Sequence, residues 1–159
     1  MREQLVGVGF DAHAFGGEGP VVLGGVSIEN DVGLVGTSDA DVATHAICDA
    51  ILGAASLGDL GEHFPSSDPQ WEDADSLAIA RRCVGMIQDR GYELVNVDVT
   101  IVAESVRVGP HREAMRNALA NALMCPLLKV SVKATSTDGL GWVGRGEGIS
   151  AIAVASIQR

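Results

Sequence analysis

Basic residues are scarce in this chain. Eleven Lys and Arg stand against twenty-one Asp and Glu, a formal charge of -10 over 159 residues. Such a surface repels a polyanion and has few cations with which to release counterions, so nucleic acid is not expected as a partner. An anionic ligand would need positive charge brought to it locally, by metal ions, backbone N–H groups or a few arginines. Cysteine is scarce too. Cys48, Cys83 and Cys125 are odd in number and form no C-x-x-C, which argues against a disulfide framework and a thiolate zinc site. They read as buried small hydrophobes. No run approaches the roughly 20 apolar residues that cross a bilayer, and no basic start precedes an apolar stretch, so the expectation is a cytoplasmic protein with no membrane partner. Repeats and linkers are also lacking. With 47% hydrophobic residues, the length fits one domain over residues 1–159.

What is present divides into apolar segments of two periods. Residues 3–13 and 21–28 are β-branched and apolar around the turn-rich GGEGP, and predict two opening strands. Val42, Ala46, Ile47, Ala50, Ile51 and Ala54 recur at helical spacing, with Ser38 or Asp39 as the expected cap and Gly58 beyond the end. Residues 59–74 are polar, carry two prolines and lack a period, the pattern of a long and often functional loop. A second helix follows, capped by Asp75 or Ser76 and stopped at Gly91. Val95, Val97, Val99 and Ile101 alternate with polar residues as a half-buried strand. A third helix has Pro110 in its first turn, and two strands close the chain. The order β-β-α-α-β-α-β-β predicts an α+β domain, a mixed sheet with helices packed on one face.

Chemistry concentrates in two places. Asp11 and His13 are two apart in a strand, so their side chains share a face. With His45 from the first helix they offer one oxygen and two nitrogens, the three-ligand, open-position pattern of catalytic zinc. Asp41 and Asp49, four residues to either side of His45, are candidates to accept its second N–H. The same three ligands also describe the non-haem iron triad, and two ordinary half-buried histidines remain the plain alternative. The second place is KATSTDGLGWVGRGEG, residues 133–148. Thr135, Ser136 and Thr137 precede Asp138 and several glycines, a loop suited to phosphate oxygens with a hard cation at Asp138, or simply a flexible connection. Arg145 and Glu147 are placed to pair with each other or with a neighbouring subunit. Asp59 and Gly61 fit either a polyol or a turn, and His63 and His111 read as surface or capping residues.

GFDAHAFG, SDADVATHAICDAILGAASLGDLG and KATSTDGLGWVGRGEGI, in this order and spanning nearly the whole chain, resemble the 2-C-methyl-D-erythritol 2,4-cyclodiphosphate synthases. The resemblance implies a homotrimer with active sites between subunits. It also implies conversion of 4-diphosphocytidyl-2-C-methyl-D-erythritol 2-phosphate into the cyclic diphosphate with release of CMP, in the non-mevalonate isoprenoid pathway. By the same resemblance, Asp11, His13 and His45 would bind Zn2+, and Asp138 would help hold Mg2+ or Mn2+ on the diphosphate. Thr37 and Ser136 would be the catalytic hydroxyls. Ala12, Thr37, Ser38, Asp59, Leu60, Gly61 and Phe64 fall where the family grips the methylerythritol and phosphate. Ala103 to Gly109, including Arg107, and Thr135 to Asp138, including Thr137, fall where it holds the cytidyl end. Trp142 and Arg145 line the central region, where an isoprenoid diphosphate is an implied further partner.

Four positions depart from the family pattern. Thr37 stands where a histidine is frequent, Ser136 where threonine is usual, FPSSD lacks an acid after the proline, and SVRVG replaces a stretch with Pro-Lys, leaving Arg107 in the lysine's role. None removes a metal ligand. Two other readings are weighed beside the cyclase: an iron oxygenase, which leaves the hydroxyl-rich loop unexplained, and a trimeric metal- or isoprenoid-binding module without turnover.

Overall fold

The computed structural model describes residues 3–159. Its main sheet has five strands in the order β4-β1-β7-β5-β6: β1 Gln4–Glu18, β4 Val32–Leu34, β5 Glu93–Val102, β6 Val130–Thr135 and β7 Gly148–Gln158. β5 and β6 run parallel while the other neighbours are antiparallel, so the sheet is mixed, as expected. β2 (Val21–Leu23) and β3 (Val26–Ile28) form a separate hairpin. The segment 21–28, expected as one strand, folds back at Gly24 and Gly25, whose φ values of 56° and 74° make the tight turn that glycine permits. Three longer helices, α1 Val42–Ala54, α3 Ser76–Asp89 and α4 Arg112–Ala122, pack on one side, and α2 (Leu60–His63) and α5 (Gly141–Gly144) are single turns inside the two long loops.

The period-2 pattern decides which side carries the helices. Ile149, Ala151, Ala153, Ala155 and Ile157 of β7 are fully buried beneath α1, while Ile152 and Val154 point out on the opposite face beside Val6, Val8 and Phe10 of β1. On the buried side β1 offers glycine. A Cβ at Gly9 would lie 1.9 Å from the Ala46 carbonyl oxygen and one at Gly7 2.1 Å from that of Ala50, so α1 rests directly on the strand's main chain. That contact places the first turn of α1 beside the middle of β1, where Asp11 and His13 stand. Asp39, Asp75 and Ser76 then gather where α3 begins.

Several local expectations are corrected. α1 is capped by Asp41, which is fully buried and accepts from Thr44 N at 3.0 Å and from Gly24 and Gly25 N at 2.9 and 2.7 Å. Ser38 and Asp39 lie before it. Only Asp41 reaches both the helix end and the hairpin turn, so one carboxylate serves two elements. In β5 a register shift between Leu94 and Asn96 turns Leu94 inward in place of Val95. β1 runs on past His13 to Glu18 because β4 continues its ladder. Pro110 sits in a 3-10 turn, Gly109–His111, ahead of α4 rather than within it. All three cysteines are free; Cys48 and Cys83 are buried as expected, Cys125 only partly. Among the described residues no helix is long and apolar enough to cross a membrane.

Candidate active site

Asp11 and His13 project from β1 toward the helices, and His45 comes down to them from α1. His13 Nε2 and His45 Nδ1 each lie 3.0 Å from Asp11 Oδ2 and 3.4 Å from each other. Around a tetrahedral divalent ion with bonds of about 2.1 Å, ligand atoms stand about 3.4 Å apart. The three therefore have the spacing of a metal site with one position left for a ligand.

Hydrogen bonding from outside fixes which nitrogens face inward. His13 Nδ1 is 2.6 Å from the Val35 carbonyl, which only accepts, so the proton is assigned to Nδ1 and the lone pair to Nε2. His45 Nε2 is 2.8 Å from Ser76 Oγ, and Ser76 donates its own proton to Asp39. The serine must then accept from His45 Nε2–H, which leaves the Nδ1 lone pair aimed at Asp11. Two nitrogen lone pairs and a carboxylate oxygen converge on one point, an arrangement that a cation or a proton must relieve. Without an ion a proton serves. Hydrogen bonding to Asp11 raises the His13 ring above its usual range. Burial works to raise the Asp11 carboxyl, but its bonds to His13 and His45 overcome that and bring it down to about 2.

The expected outer partners of His45 are corrected. Asp41 is engaged in capping, and Asp49 Oδ1 accepts from Leu60 N at 2.8 Å, tying α2 to α1. Burial raises the Asp49 carboxyl. The role falls to Ser76 and Asp39, 31 residues downstream and 6 upstream of His45, a pairing that helical spacing gave no means to find. Ser38 Oγ lies 3.1 Å from the same His45 nitrogen, and its proton stays available to a ligand.

Beside the triad opens a cavity of about 320 Å³, lined by Thr37, Ser38, Asp49, Leu60, Gly61 and Phe64 as well as the three ligands. Trp71 closes it, edge-on to Phe64 with ring centroids 4.9 Å apart and with the Arg82 guanidinium 5.1 Å from its own centroid. Trp71 and Ser66 were not singled out from sequence, since an aperiodic loop gives no sign of which residues turn inward. Asp59 caps α2 by accepting from Glu62 N at 3.0 Å, and Ala12 points to the other face of the sheet, into a shallow recess with Trp142.

The second cluster is separate. Ala103 follows β5, Arg107 is exposed beyond it, and Thr135 to Asp138 follow β6. Two strands, β7 and β5, lie between β1 and β6, which puts the loop after β6 about 14 Å from the triad's strand at the usual spacing between neighbouring strands, and the loop after β5 about 10 Å from it. One chain therefore does not bring Asp138 to the three ligands. Arg145 Nε meets Glu147 Oε1 at 2.6 Å, so these two pair with each other.

A mixed α+β sheet thus brings a carboxylate and two histidines around one point, a group that could hold a divalent metal ion, next to a hydroxyl-rimmed cavity. The chain belongs to the YgbB family, whose sequence profile matches residues 4–158. It is 51% identical to the 2-C-methyl-D-erythritol 2,4-cyclodiphosphate synthase of Pasteurella multocida over 96% of both chains, and 53% identical to that of Citrobacter koseri over 94% of both. Among solved structures, it superposes with a TM-score of 0.96 at 37% identity on the bifunctional IspDF from Campylobacter jejuni, covering 99% of this chain and 43% of that longer one. A 2C-methyl-D-erythritol-2,4-cyclodiphosphate synthase in its CDP-bound form gives 0.86 at 31% identity, covering 94% of this chain and 97% of the other.

Proposed function

We propose that this chain is the cyclase that converts 4-diphosphocytidyl-2-C-methyl-D-erythritol 2-phosphate into 2-C-methyl-D-erythritol 2,4-cyclodiphosphate, releasing CMP, in the non-mevalonate isoprenoid pathway. It is a phosphorus–oxygen lyase. The observation that carries this reading is the convergence of Asp11 Oδ2, His13 Nε2 and His45 Nδ1 beside a cavity of polyol size.

An oxygen of the 2-phosphate forms a bond to the β-phosphorus, and the bond from that phosphorus to the bridging oxygen breaks, so CMP leaves with the oxygen. The nucleophile is already ionised at neutral pH, and the barrier is the approach of two anions. Zinc held by Asp11, His13 and His45, with magnesium or manganese near Asp138, supplies the neutralising positive charge when bound. The chain's own groups do the positioning. Thr37 and Ser38 rim the cavity with hydroxyl donors, Leu60 and Gly61 present backbone, and Phe64 with Trp71 forms the apolar wall for the methyl-bearing carbon skeleton. Holding the two phosphates in line is worth about 7–11 kcal/mol in a well-oriented intramolecular reaction.

The cytidyl end belongs to Ala103, Arg107 and Thr135 to Asp138 of an adjacent subunit, because in one chain they stand away from the triad. A homotrimer closing over the apolar face of Val6, Val8, Phe10, Ile152 and Val154 would bring the two clusters together. Trp142 and Arg145 then border the trimer centre, where an isoprenoid diphosphate is the proposed further ligand. Free thiols fit a cytoplasmic setting.

The test is incubation of the purified protein with the cytidyl substrate, zinc and magnesium. CMP and the cyclic product are expected from the wild type, and His45→Ala should abolish turnover while the trimer persists. Undiminished activity in that variant, or iron as the bound metal, overturns the reading.

A further inference from the structure

After β6 the main chain passes through two left-handed residues, Asp138 at φ 51° and Gly139 at φ 79°. Such a turn gathers backbone N–H groups on one side, a concave shape that takes an anion. Here an anion is supplied from within the chain. Glu104 Oε1 accepts from Thr137 N at 2.8 Å, from Thr137 Oγ1 at 2.9 Å and from Gly139 N at 3.2 Å. The remaining N–H, that of Asp138, is turned to Ser136 Oγ at 3.2 Å, and the Ser136 hydroxyl is equally close to Asp138 Oδ1. Thr137 has one hydroxyl proton set between two acceptors, Glu104 Oε1 and the Leu140 carbonyl at 2.7 Å.

We propose that Glu104 is a positioning residue: its carboxylate fills the N–H cradle of residues 137–139 and locks the loop so that Ser136 and Asp138, not the backbone, face the diphosphate. This rests on the cyclase reading for its substrate and goes beyond it in dividing the loop's labour. The backbone donors that a glycine-rich, hydroxyl-rich loop would offer to phosphate are already engaged. The Thr137 amide and hydroxyl tie the loop to Glu104 and to the Leu140 carbonyl. With Glu104 and Asp138 both acidic and no loop N–H free among 137–139, the diphosphate depends on a cation at Asp138, and the placement of that carboxylate depends on Glu104.

Two measurements test this. The first needs no substrate: amide hydrogen exchange at Thr137 and Gly139, followed by NMR in the free protein. Both amides should be protected in the wild type and in Glu104→Gln, whose amide oxygen accepts the same three donors, and should exchange about tenfold faster or more in Glu104→Ala. Unchanged exchange in Glu104→Ala overturns the proposal. The second is steady-state kinetics of CMP release. Glu104→Ala should raise KM for the cytidyl substrate and the magnesium activation constant about tenfold, with kcat altered less than about threefold, and Glu104→Gln should restore both. An unchanged KM in the alanine variant, or a glutamine variant as impaired as alanine, also overturns it. If the wild type releases no CMP, the cyclase reading fails while the exchange rates still decide the role of Glu104.

Discussion

Ser76 Oγ sits 2.8 Å from His45 Nε2 and donates a hydrogen bond to Asp39, so a serine at the start of one helix orients a histidine of the candidate metal group at the start of another. Outer partners of this kind fix the ring tautomer and raise ligand basicity. With zinc as the proposed ion at this group, Ser76→Ala should therefore weaken its binding about 10–100-fold. Competition with a chromophoric chelator measures it. Equal affinity in the two proteins would mean that Ser38, at 3.1 Å from the same nitrogen, suffices alone.

Gly9 has no room for a methyl group. Its Cβ would be 1.9 Å from the Ala46 carbonyl oxygen, so Gly9→Ala must lift α1 from β1. A loss of about 3 kcal/mol or more in urea unfolding is expected, with metal binding lost as His45 withdraws. Gly85→Ala is the control: it lies within α3 with open space around it, and a gain of about 0.5–1 kcal/mol is expected there.

Thr37 lines the cavity on the side of the three ligands and is exposed to it, so a larger ring can enter without displacing the core. Thr37→His is expected to keep or increase kcat by placing a cationic donor near the phosphates. A large fall in kcat would assign the threonine hydroxyl a contact that imidazole does not reproduce.

Val8 is 67% exposed in the middle of an apolar sheet face. Val8→Glu should leave the subunit folded, since the helix side is untouched, and shift it to a monomer in analytical ultracentrifugation. In the proposed trimer the β6 loop of one subunit meets the triad of the next, so CMP release should vanish with assembly. A monomer with full turnover would remove the need for a site shared between subunits.

Periodicity carried much of the architecture. Helix α1 was legible because its apolar stripe repeats over three turns, and the shared face of Asp11 and His13 followed from strand geometry alone. What was not legible depends on contacts distant in sequence. Asp41, Asp39 and Ser38 are equally good caps on local grounds, and only the hairpin turn at Gly24 and Gly25 selects Asp41. Val95 and Leu94 are equally apolar, and only a register shift against β7 decides which is buried. Ser76 looks like one more helix cap until α3 is docked against α1. Glu104 fell inside the range 103–109 placed at the cytidyl end but had no role of its own, because nothing in its neighbours' spacing announces a turn 33 residues later.

The bare seam where α1 lies on Gly7 and Gly9 makes the interval between His45 and the Asp11–His13 pair a gauge cut in peptide units. Volume-conserving exchanges elsewhere in the core leave it in place. The tolerance runs out at two positions, where the smallest branch on the chain would wedge the jaws of the site apart.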